Sequence, residues 1–278
     1  MNPLKTPLRA SVSTWALHPL LGTVAPGRPG QPDARLMATR EGSLDLLDVP
    51  EQLAAHGFHT MELCHFHLPE TSAGYLEELK GRLEAHGIEL WSLLIDDGDI
   101  SDPAHGDRDH DWVAEWIDRA SLLGARCARV IAGKQLPTDE ALARSVVQLR
   151  ALSLEGYVRG VRILTENWYD LLSAPEHVAF VMEGCGGAVG LNFDFGNWTG
   201  PDKYGRLAEI AGWAEGSHAK CGFAEGAPDT ADFRTCLQVT QTAGFCGPYT
   251  LVHGEPDDVW GSLEVQRTLL EPFLTAAR

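Results

Sequence analysis

Short, nearly continuous apolar runs alternate along the chain with longer stretches whose apolar residues recur every three or four positions. The runs cover 10–15, 58–64, 88–95, 126–132, 161–166, 189–194, 213–218 and 247–253. Runs apolar on both faces suit a parallel sheet covered by helices. The stretches between them carry a helical period, as in Trp112, Val113, Trp116, Ile117, Ala120 and Leu123. Asp48-Val49-Pro50-Glu51 reads as a helix start, with Asp48 as N-cap, Pro50 in the first turn and Glu51 at the capping-box position. Glycines at 57, 87, 124, 160, 187, 212 and 244 each close a helical pattern before the next apolar run. Glycine there supplies the positive φ that ends a helix. The spacings of 30, 37, 36, 27, 25 and 32 residues stay near the roughly 30 of a βα unit. Seven marks and the run before the first predict eight strands, hence an α/β fold: a (β/α)8 TIM barrel over residues 1–278 as a single domain, with a doubly wound open sheet as the alternative. The Pro- and Gly-rich segment 18–42 is a long loop, read as a possible lid over a site.

In such a barrel the active site lies at the C-terminal ends of the strands. Those ends read Trp15 and His18; His65 and His67; Asp96, Asp97 and Asp99; Lys134; Glu166 and Asn167; Asp194 and Asn197; His218 and Lys220; His253 and Glu255. The opposite ends are mostly Gly, Ala and turn residues, so polar chemistry is confined to one mouth. Each residue also has a plain structural use. Glu166 suits an ion pair with an arginine such as Arg129, Asp194 suits a turn, and His218 suits a hydrogen-bonded core position. Trp15, Trp168 and Trp198 serve equally to stack on a sugar ring or to plug the barrel. The run Asp96-Asp97-Gly98-Asp99 lacks EF-hand spacing and reads as a solvated turn or a hydroxyl-binding group. Lys134, after Val130-Ile131-Ala132-Gly133, either reaches the mouth to hold an anionic group or opens the next helix at the surface.

A net charge of −17 repels phosphate backbones and anionic membrane surfaces, so nucleic-acid and membrane partners are not expected. The six cysteines form no CxxC pair and suit a reducing, cytoplasmic setting. No signal pattern opens the chain, and no apolar run approaches the roughly 18 residues that span a bilayer.

Thr165-Glu166-Asn167-Trp168, Asn192-Phe193-Asp194-Phe195-Gly196-Asn197 and Ser217-His218-Ala219-Lys220 together resemble the sugar phosphate isomerase/epimerase superfamily, the xylose isomerase-like TIM barrels. The resemblance implies a divalent cation (Mn2+, Mg2+, Co2+ or Zn2+) held by Glu, Asp, His and a second Glu from strands five to eight. Glu166, Asp194 and His218 match the first three places. The eighth-strand place falls at Val252, and His253 or Glu255 reaches it only if the strand end bends or shifts register. Asn197 and Cys221 also depart from the pattern, standing where a His and an Asp are common.

The resemblance further implies an isomerase, epimerase or related lyase acting on a sugar or polyol by proton transfer through an enediolate, in a small-molecule enzyme that is often a homo-oligomer. The expected site comprises Glu166, Lys134 and Lys220 as catalytic groups and Glu166, Asp194, His218 and His253 as metal ligands. Its substrate contacts are Trp15, His65, His67, Asp97, Asn167, Trp168, Asn197 and Glu255. The alternative is a degenerate, metal-free carbohydrate-binding barrel without turnover. His65-Phe66-His67 is also similar to the HxH of amidohydrolase barrels, but follows the second strand rather than the first.

Overall fold

All eight apolar runs form strands, each to within two residues of its expected limits. They are β1 Arg9–Ser13, β2 Thr60–Cys64, β3 Glu89–Ile95, β4 Cys127–Val130, β5 Arg162–Glu166, β6 Gly190–Asp194, β7 Ala214–Lys220 and β8 Pro248–Val252. The computed structural model describes residues 4–22, 27–31, 42–254 and 258–275. Every strand pairs in parallel with its neighbours in sequence, and β8 pairs with β1, so the sheet closes into a barrel. Each strand is followed by a helix: α1 Val49–Ala55, α2 Ala73–Ala85, α3 Gly106–Leu123, α4 Asp139–Val158, α5 Pro175–Cys185, α6 Lys203–Ile210, α7 Thr230–Thr242 and α8 Val259–Thr275. The chain is thus a single-domain (β/α)8 barrel.

Local chemistry explains most boundaries. Ser72, Thr138 and Asp229 cap α2, α4 and α7 by accepting from backbone N–H groups of the first turn. Asp48 does not cap α1. Instead Asp45 accepts from the Leu47 N–H and starts a 3-10 turn, Leu46–Asp48, that runs into the helix. Gly124 closes α3 at φ 77°, in the left-handed region that the punctuation argument requires. Gly212 departs from that pattern and lies inside a 3-10 turn, Ala211–Trp213. Two further elements lacked a clear signal: a helical turn at His18–Leu21 inside the Pro/Gly-rich segment, and a two-residue hairpin pairing Phe223–Ala224 with Ala227–Pro228. Residues 23–26 and 32–41, the greater part of the expected lid, lie outside the described residues.

Strand alternation sorts the barrel into two environments. Val12, Leu63, Leu93, Ile163, Leu191 and Leu251 face outward into the main core against the helices. The predicted stripe of α3 (Val113, Trp116, Ile117, Ala120, Leu123) is buried there, at about 1.5–3 kcal/mol for each large side chain. The lumen is more polar. Ser11, Glu62, Ser92, Arg129, Asn192, His218 and Thr250 are all buried. At the N-terminal end of the strands an apolar layer of Trp91, Cys127 and Leu164 packs against Leu4. Beside it Arg162 bonds both oxygens of Glu215 at 2.6 and 3.0 Å, and the Leu4 N–H donates to the same carboxylate. That end is therefore closed, and the lumen opens only where the strands finish.

Candidate active site

The C-terminal strand ends surround a cavity of about 180 Å³. Trp15, Phe66, Leu94, Trp168 and Val252 form apolar walls around a charged floor of Asp96, Arg129, Glu166, His218 and Lys220. Glu166, Asp194 and His218 are buried, and one donor atom from each lies within 4.8 Å of the other two. His218 Nδ1 is 3.3 Å from both Glu166 Oε2 and Asp194 Oδ2. Glu166 and Asp194 end β5 and β6, His218 lies two residues before the end of β7, and their convergence follows from parallel neighbours in the register Glu166↔Asn192 and Asp194↔His218.

Three cationic groups face these carboxylates. Arg129 Nε lies 3.1 Å from Glu166 Oε2, and its Nη2 donates to Asp96. Lys220 Nζ is 2.9 Å from Asp194 Oδ2 and donates to Asn197 Oδ1 at 2.7 Å. The Asn197 amide then donates to Glu166 Oε1 at 2.7 Å. Burial alone would raise the Glu166 carboxyl, but His218 and Arg129 outweigh it and hold the group well below the ordinary carboxylate range. Burial would lower His218, yet Glu166 and Glu62 raise it well above a free imidazole. Lys220 is likewise raised, because Asp194 and Glu166 overcome its desolvation.

The plain structural uses and the functional arrangement coexist. Asp194 Oδ1 accepts from the Gly196 and Asn197 N–H groups and shapes the turn, while Oδ2 faces the cluster. Trp168 lies over the Arg129 guanidinium at 5.1 Å and stacks on Tyr169 at 4.2 Å. Tyr169 takes φ 57°, ψ 178°, a region largely confined to glycine.

Several expected contacts fall elsewhere. His253 is not with the metal-ligating group: as the neighbour of the inward Val252 it faces away, its Nδ1 donating to the Gly254 carbonyl. Asn167 clamps β5 to β6, with its amide bonding the backbone N–H and carbonyl of Asp194. His65 is enclosed by Trp112 and Trp116, and burial lowers its pKa to about 4. His67 bonds Thr14 and His18, and burial followed by the two neighbouring histidines takes it to about 3. Asp97 is held by Lys134 and Arg28, each at 2.6 Å, so neither Asp97 nor Lys134 lines the cavity. Glu255 lies outside the described residues. Trp15, Trp168 and Lys220 do line the cavity, and Asn197 bridges Glu166 to Lys220.

One buried carboxylate at the cluster was not anticipated. Glu62, fully enclosed on β2, lies 2.9 Å from His218 Nε2 across the lumen. Its signal in the sequence was a lone charge inside the apolar run 58–64. The donors fit a divalent cation in kind: two carboxylate oxygens and an imidazole nitrogen converge. Val252 supplies no fourth donor from β8.

A closed parallel barrel with a cavity floored by charged residues at the C-terminal strand ends defines this molecule as a (β/α)8 barrel. A family model described as xylose isomerase-like TIM barrel matches residues 50–258, and the chain belongs to that family. No curated protein matches it significantly in sequence. The fold is similar to a xylose isomerase-like TIM barrel protein from Mycobacterium smegmatis in complex with magnesium, at 17% identity, TM-score 0.69, covering 99% of this chain and 98% of that one. It also resembles an L-ribulose 3-epimerase (16% identity, TM-score 0.72, 98% and 96% covered). A D-allulose 3-epimerase from Methylomonas sp. follows at 13% identity and TM-score 0.66, with 97% and 92% covered. At these identities the likeness speaks for the fold. Among the described residues no helix is long and apolar enough to cross a membrane.

Proposed function

We propose that the protein is a sugar isomerase or epimerase that moves a proton on a carbon flanked by oxygens, with a divalent cation held by Glu166, Asp194 and His218. The observation that carries this reading is the convergence of those three donors within 4.8 Å beneath a cavity walled by Trp15 and Trp168. A cation bound there polarises oxygens of the substrate and acidifies the intervening C–H. Glu166, ionised and fixed by Asn197, is the base. Lys220, an ammonium with about a third of its side chain exposed to the mouth, is the acid partner. Trp15 and Trp168 offer flat apolar faces to the carbon side of a sugar. Family membership and the epimerases sharing the fold support an enzyme of this class.

A second reading has its own support. Arg129 and Lys220 already sit against the two carboxylates, and Val252 leaves the fourth place apolar. A metal-free barrel that binds carbohydrate without turnover would have these features.

Two measurements separate the readings: elemental analysis of protein purified without chelator, and deuterium incorporation into ketohexoses and ketopentoses in D2O. Near-stoichiometric metal in the parent, its loss in Glu166→Ala and His218→Ala, and isotope uptake by at least one ketose are expected. A parent that stays empty in excess Mn2+ and exchanges no ketose proton refutes the enzymatic reading.

A further inference from the structure

We infer that Glu62 is a positioning residue for the site: it fixes the His218 ring so that Nδ1, and not Nε2, faces Glu166 and Asp194. The inference rests on the cation reading of Glu166, Asp194 and His218. Glu62 lies on β2 and His218 on β7, with 156 residues between them in sequence. Their contact at 2.9 Å spans the lumen. A carboxylate accepts and does not donate, so Nε2 must carry the proton of this bond. On the far side of the same ring Nδ1 stands 3.3 Å from each of the two carboxylate oxygens. In a neutral imidazole only one nitrogen has a lone pair. When a cation displaces the second ring proton, Nε2–H stays committed to Glu62 and the lone pair is left at Nδ1, facing Glu166 and Asp194. A carboxylate behind the ring also raises the basicity of the coordinating nitrogen.

The fold alone does not account for Glu62. It is 0% exposed, and its other oxygen, Oε1, has no hydrogen-bond partner among the described residues. Placing an ionised carboxylate in such a position is costly, and an apolar side chain of similar volume usually serves stability as well or better. The flanking β2 residues Met61, Leu63 and Cys64 are apolar. The carboxylate therefore serves His218 rather than the barrel wall. Alternation along β2 turns Glu62 into the lumen between the outward-facing Met61 and Leu63. The register shift opposite it lies on β3, where Trp91 is the extra residue.

Calorimetric titration of the chelator-stripped full-length protein with Mn2+ tests the assignment. Glu62→Gln keeps the size and an acceptor oxygen but loses the charge, and is expected to weaken Mn2+ binding by about 10–100-fold. In a His218→Ala background, titrated with millimolar Mn2+ to reach the weak binding left to Glu166 and Asp194, the same substitution is expected to change affinity by less than about twofold, since the residue acts through the ring. A purely structural Glu62 would give equal losses in both backgrounds. Urea unfolding of each variant checks folding, and Glu62→Leu, with the same expected loss, replaces Glu62→Gln if that variant does not fold. Parent-like Mn2+ affinity in either Glu62 variant overturns this inference while the cation reading stands. A parent that takes up no Mn2+ overturns both.

Discussion

Lowering the pH from about 7 to about 5 should destabilise the metal-stripped protein by roughly 3 kcal/mol through two histidines that never enter the cavity. His65 accepts a bond from the Asp96 N–H on Nδ1 and is boxed in by tryptophan rings, while His67 lies against Thr14 and His18. Burial holds them neutral, with folded pKa values of about 4 and about 3. In the unfolded chain an imidazole titrates near 6.5. Between about pH 7 and 5 the unfolded state therefore gains protons that the folded state refuses, and stability falls by about 2 kcal/mol per histidine. His218 has the opposite sign. Glu166 and Glu62 raise it well above a free imidazole, so acidification returns a minor part of that loss. The balance is a loss of about 3 kcal/mol. His253, also lowered by burial, adds to the loss. The result depends little on the folded values, since both histidines stay largely neutral down to about pH 5. Urea unfolding followed by tryptophan fluorescence should show the midpoint falling by about 1 M if the slope is near 3 kcal/mol/M. The shift should fall to roughly a third in His67→Asn. A loss below about 1 kcal/mol, or one unchanged in that variant, would refute the account of His65 and His67 as enclosed neutral rings.

Replacing Arg129 with Met strands Asp96 and takes one of several partners from Glu166, so a loss of about 3 kcal/mol in urea unfolding is expected, the low end for breaking a buried pair. Val252 lines the cavity opposite Lys220 in the β8–β7 register. Val252→Glu should tighten Mn2+ binding by about tenfold, or ~1.4 kcal/mol, in calorimetry, and an unchanged affinity would mean that this position does not reach the cation. Lys134→Met should leave Mn2+ affinity and any ketose exchange within about twofold of the parent, because its ammonium is committed to Asp97 outside the cavity. A tenfold loss in either assay would return Lys134 to the mouth.

The eight strands and the polarity of the barrel were legible because apolar runs, helical stripes and terminal glycines follow from short-range rules. Glu166, Asp194 and His218 were legible for a similar reason, since each ends a strand in sequence and neighbouring strands bring them together. Parity was much harder to read. His65, His67 and His253 sit beside strand ends, but one step along a strand or turn separates the mouth from the outer wall, and Val252 takes the inward place that His253 does not. Glu62 lies deeper than a strand end, and its partner His218 is 156 residues away across the lumen, a pairing that no short-range rule fixes. Lys134, expected as a catalytic group, and Asp97, expected as a substrate contact, pair with each other at 2.6 Å, a long-range contact that no spacing rule foretells.

The closed lower end of the barrel gives the lumen the geometry of a test tube. Ser11 Oγ, Glu62 Oε1, Asn192 Oδ1 and Thr250 Oγ1 are buried without a protein partner among the described residues, and groups of this kind are usually satisfied by enclosed water. Among the described residues the Arg162–Glu215 pair and the Trp91, Cys127 and Leu164 layer fill the lower end, so any solvent held in the tube exchanges past His218 and Lys220. Whatever fills the mouth becomes its stopper, and the residence time of that water becomes a clock for occupancy of the site.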